Sequence, residues 1–287
     1  MQADILVIIV TFNGMQWIDR CIASVRSSLV PADILAIDNG SSDGTPEKLG
    51  SLGVRLIRNE ANTGFGAANN IGMRRALEEG YKYVYLLNQD AWVLPDTFGK
   101  LAGAFQEGPY GILSPVQYDA GGKKMDRQFA KRCRRHLRRH KGETVVTVPF
   151  VMAAHWMISR SCLVKTGGFS PAFKQYGEDD NYIDRARRWG WLCGVVPAAS
   201  GIHDRNLRED SPHKRMFLKC NSGAIRFSDP GRPVLLSVFL EPLRLAAMAA
   251  LNFSTEPLKA AGRLIKRYPE LIRFRKRSKK AGAFLTD

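Results

Sequence analysis

Small polar and acidic residues gather immediately after short apolar runs in this chain. Thr11-Phe12-Asn13-Gly14 follows one such run and Asp38-Asn39-Gly40-Ser41-Ser42-Asp43-Gly44-Thr45 a second, while residues 59–66 and Asn88-Gln89-Asp90 follow two more. A carboxylate such as Asp38 can accept from a nucleobase imide or a ribose hydroxyl, and glycine and serine beside it let the backbone approach a phosphate closely. The same run is also good turn chemistry, with Asp43 or Thr45 capping a helix, and both readings stand. Asp90, beside Asn88, suits a hard divalent ion such as Mg2+ or Mn2+ that completes its shell with water and diphosphate oxygens; its plainer role is to cap the turn before Pro95. Glu178, Asp179 and Asp180 are consecutive acids. Crowding lifts carboxyl pKa values toward those useful in a proton acceptor, although acids also favour a helix N-terminus through its dipole.

Strands whose ends converge must hold these residues. Apolar β-branched runs alternate with helical patterns: a strand over 4–11, a helix over 15–29, a strand over 34–38, a short helix over 46–52, a strand over 54–58, a helix over 64–79 and a strand over 83–88. Such alternation predicts an α/β fold with a mostly parallel sheet and helices on both faces. Ligands of such sheets bind beyond the carboxyl ends of the strands, near the point where strand order reverses, and the polar exits fall there. No P-loop run and no Gly-x-Gly-x-x-Gly follows Val10, which argues against a kinase, an ATPase or an ordinary dinucleotide dehydrogenase.

The 287 residues, 45% of them hydrophobic, suffice for one large domain or two small ones. Five scattered cysteines form no metal knuckle or redox pair and fit a reducing compartment. The N-terminal apolar run has no basic segment before it and no cleavage site after it, so it reads as a buried strand rather than a signal peptide. The net charge of +16 concentrates in residues 131–141 and 273–280, clusters suited to phosphate, an anionic membrane face or a polyanionic acceptor, or simply solvated. Residues 121–142 read as a mobile loop or a disordered segment. No stretch reaches about 18 uninterrupted apolar residues; residues 234–251 come nearest and are broken by Glu241, Pro242 and Arg244. Beyond residue 231 apolar positions at helical spacing alternate with basic ones, predicting an extension that either lies on an anionic membrane or caps the preceding domain.

Ile8-Ile9-Val10-Thr11-Phe12-Asn13, Ala36-Ile37-Asp38-Asn39-Gly40-Ser41-Ser42-Asp43-Gly44-Thr45, Asn62-Thr63-Gly64-Phe65-Gly66-Ala67-Ala68-Asn69-Asn70 and Leu86-Leu87-Asn88-Gln89-Asp90 resemble, in order, the motifs of family 2 glycosyltransferases, nearest the bacterial rhamnosyltransferase-like branch. Gly167-Gly168-Phe169-Ser170-Pro171-Ala172-Phe173, Tyr176-Gly177-Glu178-Asp179-Asp180-Asn181 and Arg185-Ala186-Arg187-Arg188-Trp189-Gly190 are similar to that family's acceptor-side segment. The resemblance implies a GT-A fold, built on a Rossmann-like nucleotide-binding sheet, and an inverting single displacement. It implies a catalytic domain over 1–230, with a donor half at about 1–115 and an acceptor half at about 145–230, followed by the helical extension over 231–287.

Carried over residue by residue, Asp179 is the base that deprotonates the acceptor hydroxyl. Thr11, Asn13, Asp38, Ser41, Asn62, Gly66, Asn69 and Asn88 bind the nucleotide-sugar, and Asp90 and His203 hold the divalent metal. Glu178 and Asp180 are acceptor-side candidates with Trp156, whose ring could stack on a sugar or belong to the core. Two departures stand out: Asn88-Gln89-Asp90 keeps one carboxylate where many relatives carry more, and Asn181 stands where Asp is common. The implied partners are a nucleotide-sugar, with dTDP-rhamnose first and uridine-linked hexoses next, and a saccharide or lipid-linked saccharide acceptor; the implied location is cytoplasmic, peripheral on the inner membrane face. A sugar-nucleotide nucleotidyltransferase would want a Gly-rich basic loop after the first strand, and residues 11–14 contain no Lys or Arg. A nucleic-acid-binding protein would explain the charge, but no zinc-finger or RNA-recognition signature is present, so nucleic acid is not an expected partner.

Overall fold

A computed structural model describes residues 2–205 and 212–286, with backbone alone at 212–215 and 219. Strand β1 (Ile5–Thr11) is buried on both faces, as a central parallel strand must be. Helix α1 (Met15–Arg26) buries Ile18, Cys21, Ile22 and Val25, one helical stripe, against it. There follow β2 (Asp33–Asp38), α2 (Thr45–Ser51), β3 (Arg55–Arg58), α3 (Phe65–Glu78) and β4 (Tyr83–Asn88), the order read from periodicity, with no end displaced by more than three residues. The second half runs β5 (Ala91–Val93), α4 (Thr97–Ala104), β6 (Tyr110–Tyr118), α5 (Arg127–Arg139), β7 (Val146–Thr147), β8 (His155–Ser159), α6 (Arg160–Thr166), α7 (Glu178–Arg188) and β9 (Leu192–His203). Helices α8 (Pro212–Ser228), α9 (Val234–Asn252) and α10 (Glu256–Arg277) complete the chain.

The sheet order is β3-β2-β1-β4-β8-β6-β9-β5, with β7 paired to β9. Strands β3, β2, β1 and β4 are parallel, in a register that sets Thr11 opposite Asp38 and Val10 opposite Asn88. Strand order reverses between β1 and β4, so their carboxyl ends open the crevice expected of such sheets. Beyond β4 the sheet is mixed rather than mostly parallel. Strand β8 starts where β4 ends, with the Asn88 N–H donating to the Ala154 carbonyl, and so runs antiparallel to β4 and to β6, while β6 and β9 are parallel.

Strand β9 is irregular, and one local expectation is corrected. Residues 197–201 lie within β9. Pro115 pairs with Val196 and Val116 with Ser200, so residues 197–199 bulge, which removes Pro197 from a ladder to which it has no N–H to give. Residues 127–139, expected as a mobile or disordered segment, are helix α5. Asp126 caps it, accepting from the Gln128 and Phe129 N–H groups, and Phe129 and Cys133 anchor its inner side in the core while the basic residues face outward.

Two clusters of buried residues cover the two faces of the sheet, and a third lies among α8, α9 and α10. Among the described residues α9 is the one helix long and apolar enough, by length and composition, to cross a membrane, with mean hydropathy 1.8 over an 18-residue window of its 19 residues. Pro242, expected to break it, sits inside it. The proline removes the N–H that would reach the Val238 carbonyl, and the Tyr268 hydroxyl of α10 donates to that carbonyl at 2.8 Å instead. Glu241 is buried and paired with Arg226 of α8 at 2.6 Å. After α10 the chain returns to the sheet domain, where the Gly168 N–H donates to the Ala283 carbonyl and Leu285 enters the core.

Candidate active site

The strand exits are tied to one another by side chains. Asp38 is buried and accepts from the hydroxyls of Thr11 and Ser41 and from the N–H groups of Gly40 and Ser41. Four donors fill the lone-pair sites of a carboxylate, so Asp38 organises this loop. Ser41 accepts from the Asn13 N–H, and Asn13, in the left-handed region at φ 48°, accepts from the Ser42 N–H. Asp43 accepts from the Met15 N–H and Thr45 from the Gly14 N–H, so the β2–α2 loop caps α1 as well as its own helix. Gln89 completes the knot, accepting from the Phe12 N–H and donating to the Phe12 carbonyl.

Asp90 and His203 meet because β5 pairs antiparallel with β9, with Ala91 opposite His203. The Nε2 of His203 lies 3.4 Å from Oδ1 of Asp90 and 3.5 Å from the Asn88 amide, and both Asp90 and His203 are buried. Behind them His155 is buried, accepts from the Tyr85 hydroxyl and donates from Nε2 to the Ile202 carbonyl, which fixes β9 one residue before His203. Burial drives the His155 pKa down to about 3, so it stays neutral and keeps this tautomer. The described residues contain no cluster of three or more His, Cys, Asp or Glu arranged for a metal. One carboxylate and one imidazole fit a hard divalent ion that takes its remaining oxygens from water and a diphosphate.

Helix α7 opens after Gly177, which holds φ 103°, and its first turn carries Glu178, Asp179 and Asp180. Burial first, then the Asp179 charge, raises the Glu178 carboxyl to about 8; the same causes raise Asp180 to about 7. Burial raises Asp179 too, but N–H groups of its own residue, Asp180 and Ala153, together with Arg132, favour its charged form. Near neutral pH Glu178 therefore holds its proton, and its buried Oε2 lacks a hydrogen-bond partner. Asp179, Asp180 and His203 line one cleft of about 780 Å3. Its other walls carry Arg127 and Arg132 of α5, Arg205 after β9, and Asn221 and Arg226 of α8. Such a cleft has a proton acceptor at one wall, an imidazole–carboxylate pair at another, and guanidinium groups suited to phosphate or sugar oxygens between them.

Residues 6–167 match the sequence profile of glycosyl transferase family 2, more than half of the chain. The chain belongs to that family. This glycosyltransferase is 27% identical over 237 residues to the N-acetylglucosaminyl-diphospho-decaprenol L-rhamnosyltransferase of Mycobacterium tuberculosis, a match covering 71% of this chain and 77% of that one. Its fold is similar to that of the mannosyltransferase PcManGT from Pyrobaculum calidifontis, solved with GDP-Man and Mn2+, at TM-score 0.62 and 18% identity over 97% of this chain and 84% of that one. It is also similar to GalNAc-T7, solved with UDP, GalNAc and Mn2+, at TM-score 0.59 and 18% identity; the match covers 81% of this chain and spans about half, 52%, of that one. The GT-A architecture with a helical C-terminal region is thus the fold of this enzyme.

Within the glycosyltransferase, Thr11, Asn13, Asp38, Ser41 and Asn88 converge at the β1, β2 and β4 exits. Asn62 stands on the neighbouring loop, where its Oδ1 accepts from the amide of Asn39 and the N–H of Gly64. Two site expectations are corrected. Trp156 is fully buried, donates from its indole to the Val151 carbonyl and stacks on Phe169, so its ring has no face for a sugar. Asn69 is buried and donates to the Phe65 carbonyl of its own helix. Gly66 has a packing reason: a Cβ there would stand 2.8 Å from that of Phe169. Its neighbour Asn70 grips the Phe169 backbone from both sides, accepting from its N–H and donating to its carbonyl, which locks α3 to the segment before α7. Asn70, Gln89, His155, Arg127 and Arg226 escaped the sequence reading, whereas Arg132 fell within the basic run 131–141; Gln89 and Asn70 lay inside quoted motifs, and His155 carried no local signal.

Proposed function

We propose that this glycosyltransferase moves a sugar with inversion from a nucleotide-sugar, dTDP-rhamnose first among candidates, to a hydroxyl of a saccharide or lipid-linked saccharide. The observation that carries this reading is the single cleft shared by Asp179 and His203, with Asp90 behind the latter. In the proposed reaction Asp179 takes the proton of the acceptor hydroxyl. That oxygen forms a bond to the anomeric carbon as the bond from carbon to the diphosphate oxygen breaks, and the nucleoside diphosphate leaves from the opposite face. Asp90 and His203 would hold Mg2+ or Mn2+, and a divalent ion bound there would supply positive charge to offset that of the leaving diphosphate. Thr11, Asn13, Asp38, Ser41, Asn62, Gly66 and Asn88 shape the nucleotide site, in several cases by holding the loops rather than by touching the ligand. Glu178 and Asp180 stand on the acceptor side, and the raised Glu178 carboxyl holds its proton beside Asp179.

The name of the mycobacterial relative specifies a diphospho-decaprenol acceptor and a rhamnosyl group. Its similarity, with the arginines in the cleft, favours an anionic lipid-linked acceptor, synthesis of a cell-surface glycan and a peripheral position on the cytoplasmic membrane face. The catalytic unit proposed from the sequence spans 1–230, with donor and acceptor halves at about 1–115 and 145–230. Thermal shift with thymidine, uridine and guanosine diphosphates, each with Mn2+ or chelator, tests the reading. Stabilisation by one nucleotide, larger with metal, is expected; no stabilisation by any of them would refute it.

A further inference from the structure

Helix α9 turns two unlike faces to its surroundings. One buries Glu241, Leu245 and Ala249 against α8 and α10. The other leaves Leu235 77%, Phe239 67%, Leu243 65% and Leu251 81% exposed, with Phe253 at its end 99% exposed. These positions fall on one side of the helix at its period, with Arg244 at the border. On the adjoining α10, Leu258 and Ile265 are half-exposed and seven residues apart, hence on one stripe, with Lys259 and Lys266 one position further round. From these exposures the apolar surface amounts to something on the order of 1000 Å2, well above the few hundred Å2 that a monomer ordinarily leaves in water.

We infer that this face of the α9–α10 hairpin docks in the plane of an anionic lipid bilayer, with α9 lying in the interface rather than spanning it. The occupant follows from charge: the chain carries +16, and exposed Arg244, Lys259, Arg263 and Lys266 flank the apolar face. Apolar side chains entering the acyl boundary beside cations that meet lipid phosphates are the two components of interfacial binding. The in-plane disposition follows from the other face of α9, where Glu241 is buried in its pair with Arg226 and Tyr268 serves the carbonyl freed by Pro242. A spanning α9 would have to leave α8 and α10 and carry that carboxylate and that carbonyl into hydrocarbon, which is costly.

The inference deepens the peripheral position proposed above. Helix α8 packs on α9 and also lines the cleft through Leu218, Asn221 and Arg226. One helix layer, about 10 Å thick, thus separates the docking face from the acceptor cleft, a reach that suits an acceptor held by its lipid.

Sedimentation of the full chain with vesicles tests this. Binding to vesicles containing about one-third phosphatidylglycerol is expected to exceed binding to pure phosphatidylcholine and to fall with salt. The variant L236E/F239E, at exposed positions, is expected to bind about tenfold less with an unchanged circular dichroism spectrum. Carbonate washing is expected to release the wild-type protein. Equal sedimentation of the variant, no binding to either vesicle, or retention after carbonate would each overturn the inference, as would a dimer in light scattering that L236E/F239E abolishes without loss of lipid binding. Nucleoside diphosphate thermal shift, measured on the same samples, reports separately on the enzymatic reading.

Discussion

The neutral isostere Glu178→Gln separates the electrostatics of the α7 start from its packing. Glu178 is 8% exposed, and burial with the Asp179 charge lifts its carboxyl from the ordinary 4.5 to about 8. In the unfolded chain it loses its proton near its ordinary value, so between the two the folded state holds one proton that the unfolded state lacks. Stability from this group is therefore complete below about 4.5 and is lost as pH rises toward about 8. Each unit corresponds to about 1.4 kcal/mol, so Glu178 should remove about 3 kcal/mol between about pH 5 and about pH 7.5. Urea denaturation of wild type and Glu178→Gln across that range isolates the effect of this cluster, because acids outside it contribute equally to both. The wild type should lose stability relative to the variant as pH rises, with the gap widening by a few kcal/mol. Parallel curves would refute the reasoning and mean that Glu178 is ionised in the fold, leaving Asp179 without a neutral neighbour.

Asp179→Asn should lower turnover by about 100-fold to 10000-fold while nucleotide thermal shift survives, and near-normal turnover would remove Asp179 from the chemistry. The acid limb of the wild-type pH–rate profile should lie above the ordinary carboxylate range, because burial raises Asp179 and the base works only when ionised. Asp38→Ala leaves two hydroxyls and two N–H groups without their acceptor; a loss of roughly 2–4 kcal/mol in denaturation, with weaker nucleotide binding, is expected, and wild-type values in both would show that the loop does not depend on it. At Gly167, φ is +78° and an added Cβ would collide with the backbone of Ala283, so Gly167→Ala should lower the melting temperature by several degrees, and an unchanged melting temperature would show that the contact with the tail is dispensable.

The first 88 residues were legible because each element was specified locally. β-branched runs are bounded by turn residues, and helices have buried stripes at their own period, so strand order and the polar exits followed from pattern. Asp90 and His203 were separately visible as chemistry-bearing residues, but their meeting depends on β5, three residues long, pairing with β9 across 110 positions of chain, which leaves no periodic trace. Alternation could not disclose the antiparallel entry of β8, because a strand buried on both faces has the same pattern in either direction. Trp156 and Asn69 misled for a related reason. The ring of Trp156 and the family motif around Asn69 suggested ligand contacts, whereas their partners in the fold are Phe169 and the α3 backbone. The basic segment before β7 looked unstructured by charge alone, yet Asp126 and the i, i+4 pair Phe129 and Cys133 are enough to start and seat a helix.

The tail that follows α10 has a consequence for biosynthesis. Gly167 and Gly168 close on Ala283 and Leu285, so the platform from which α7 projects gains one of its walls from residues more than a hundred positions downstream. On a ribosome the parallel half can pair as soon as β4 emerges, whereas the second half must wait, its apolar Phe169 surroundings uncovered, until residues 283–285 have been made. Pausing or premature termination late in translation would therefore release a chain with a formed crevice at the parallel strand ends and an unfinished wall beside α7, a species that chaperones and proteases would meet before any substrate does.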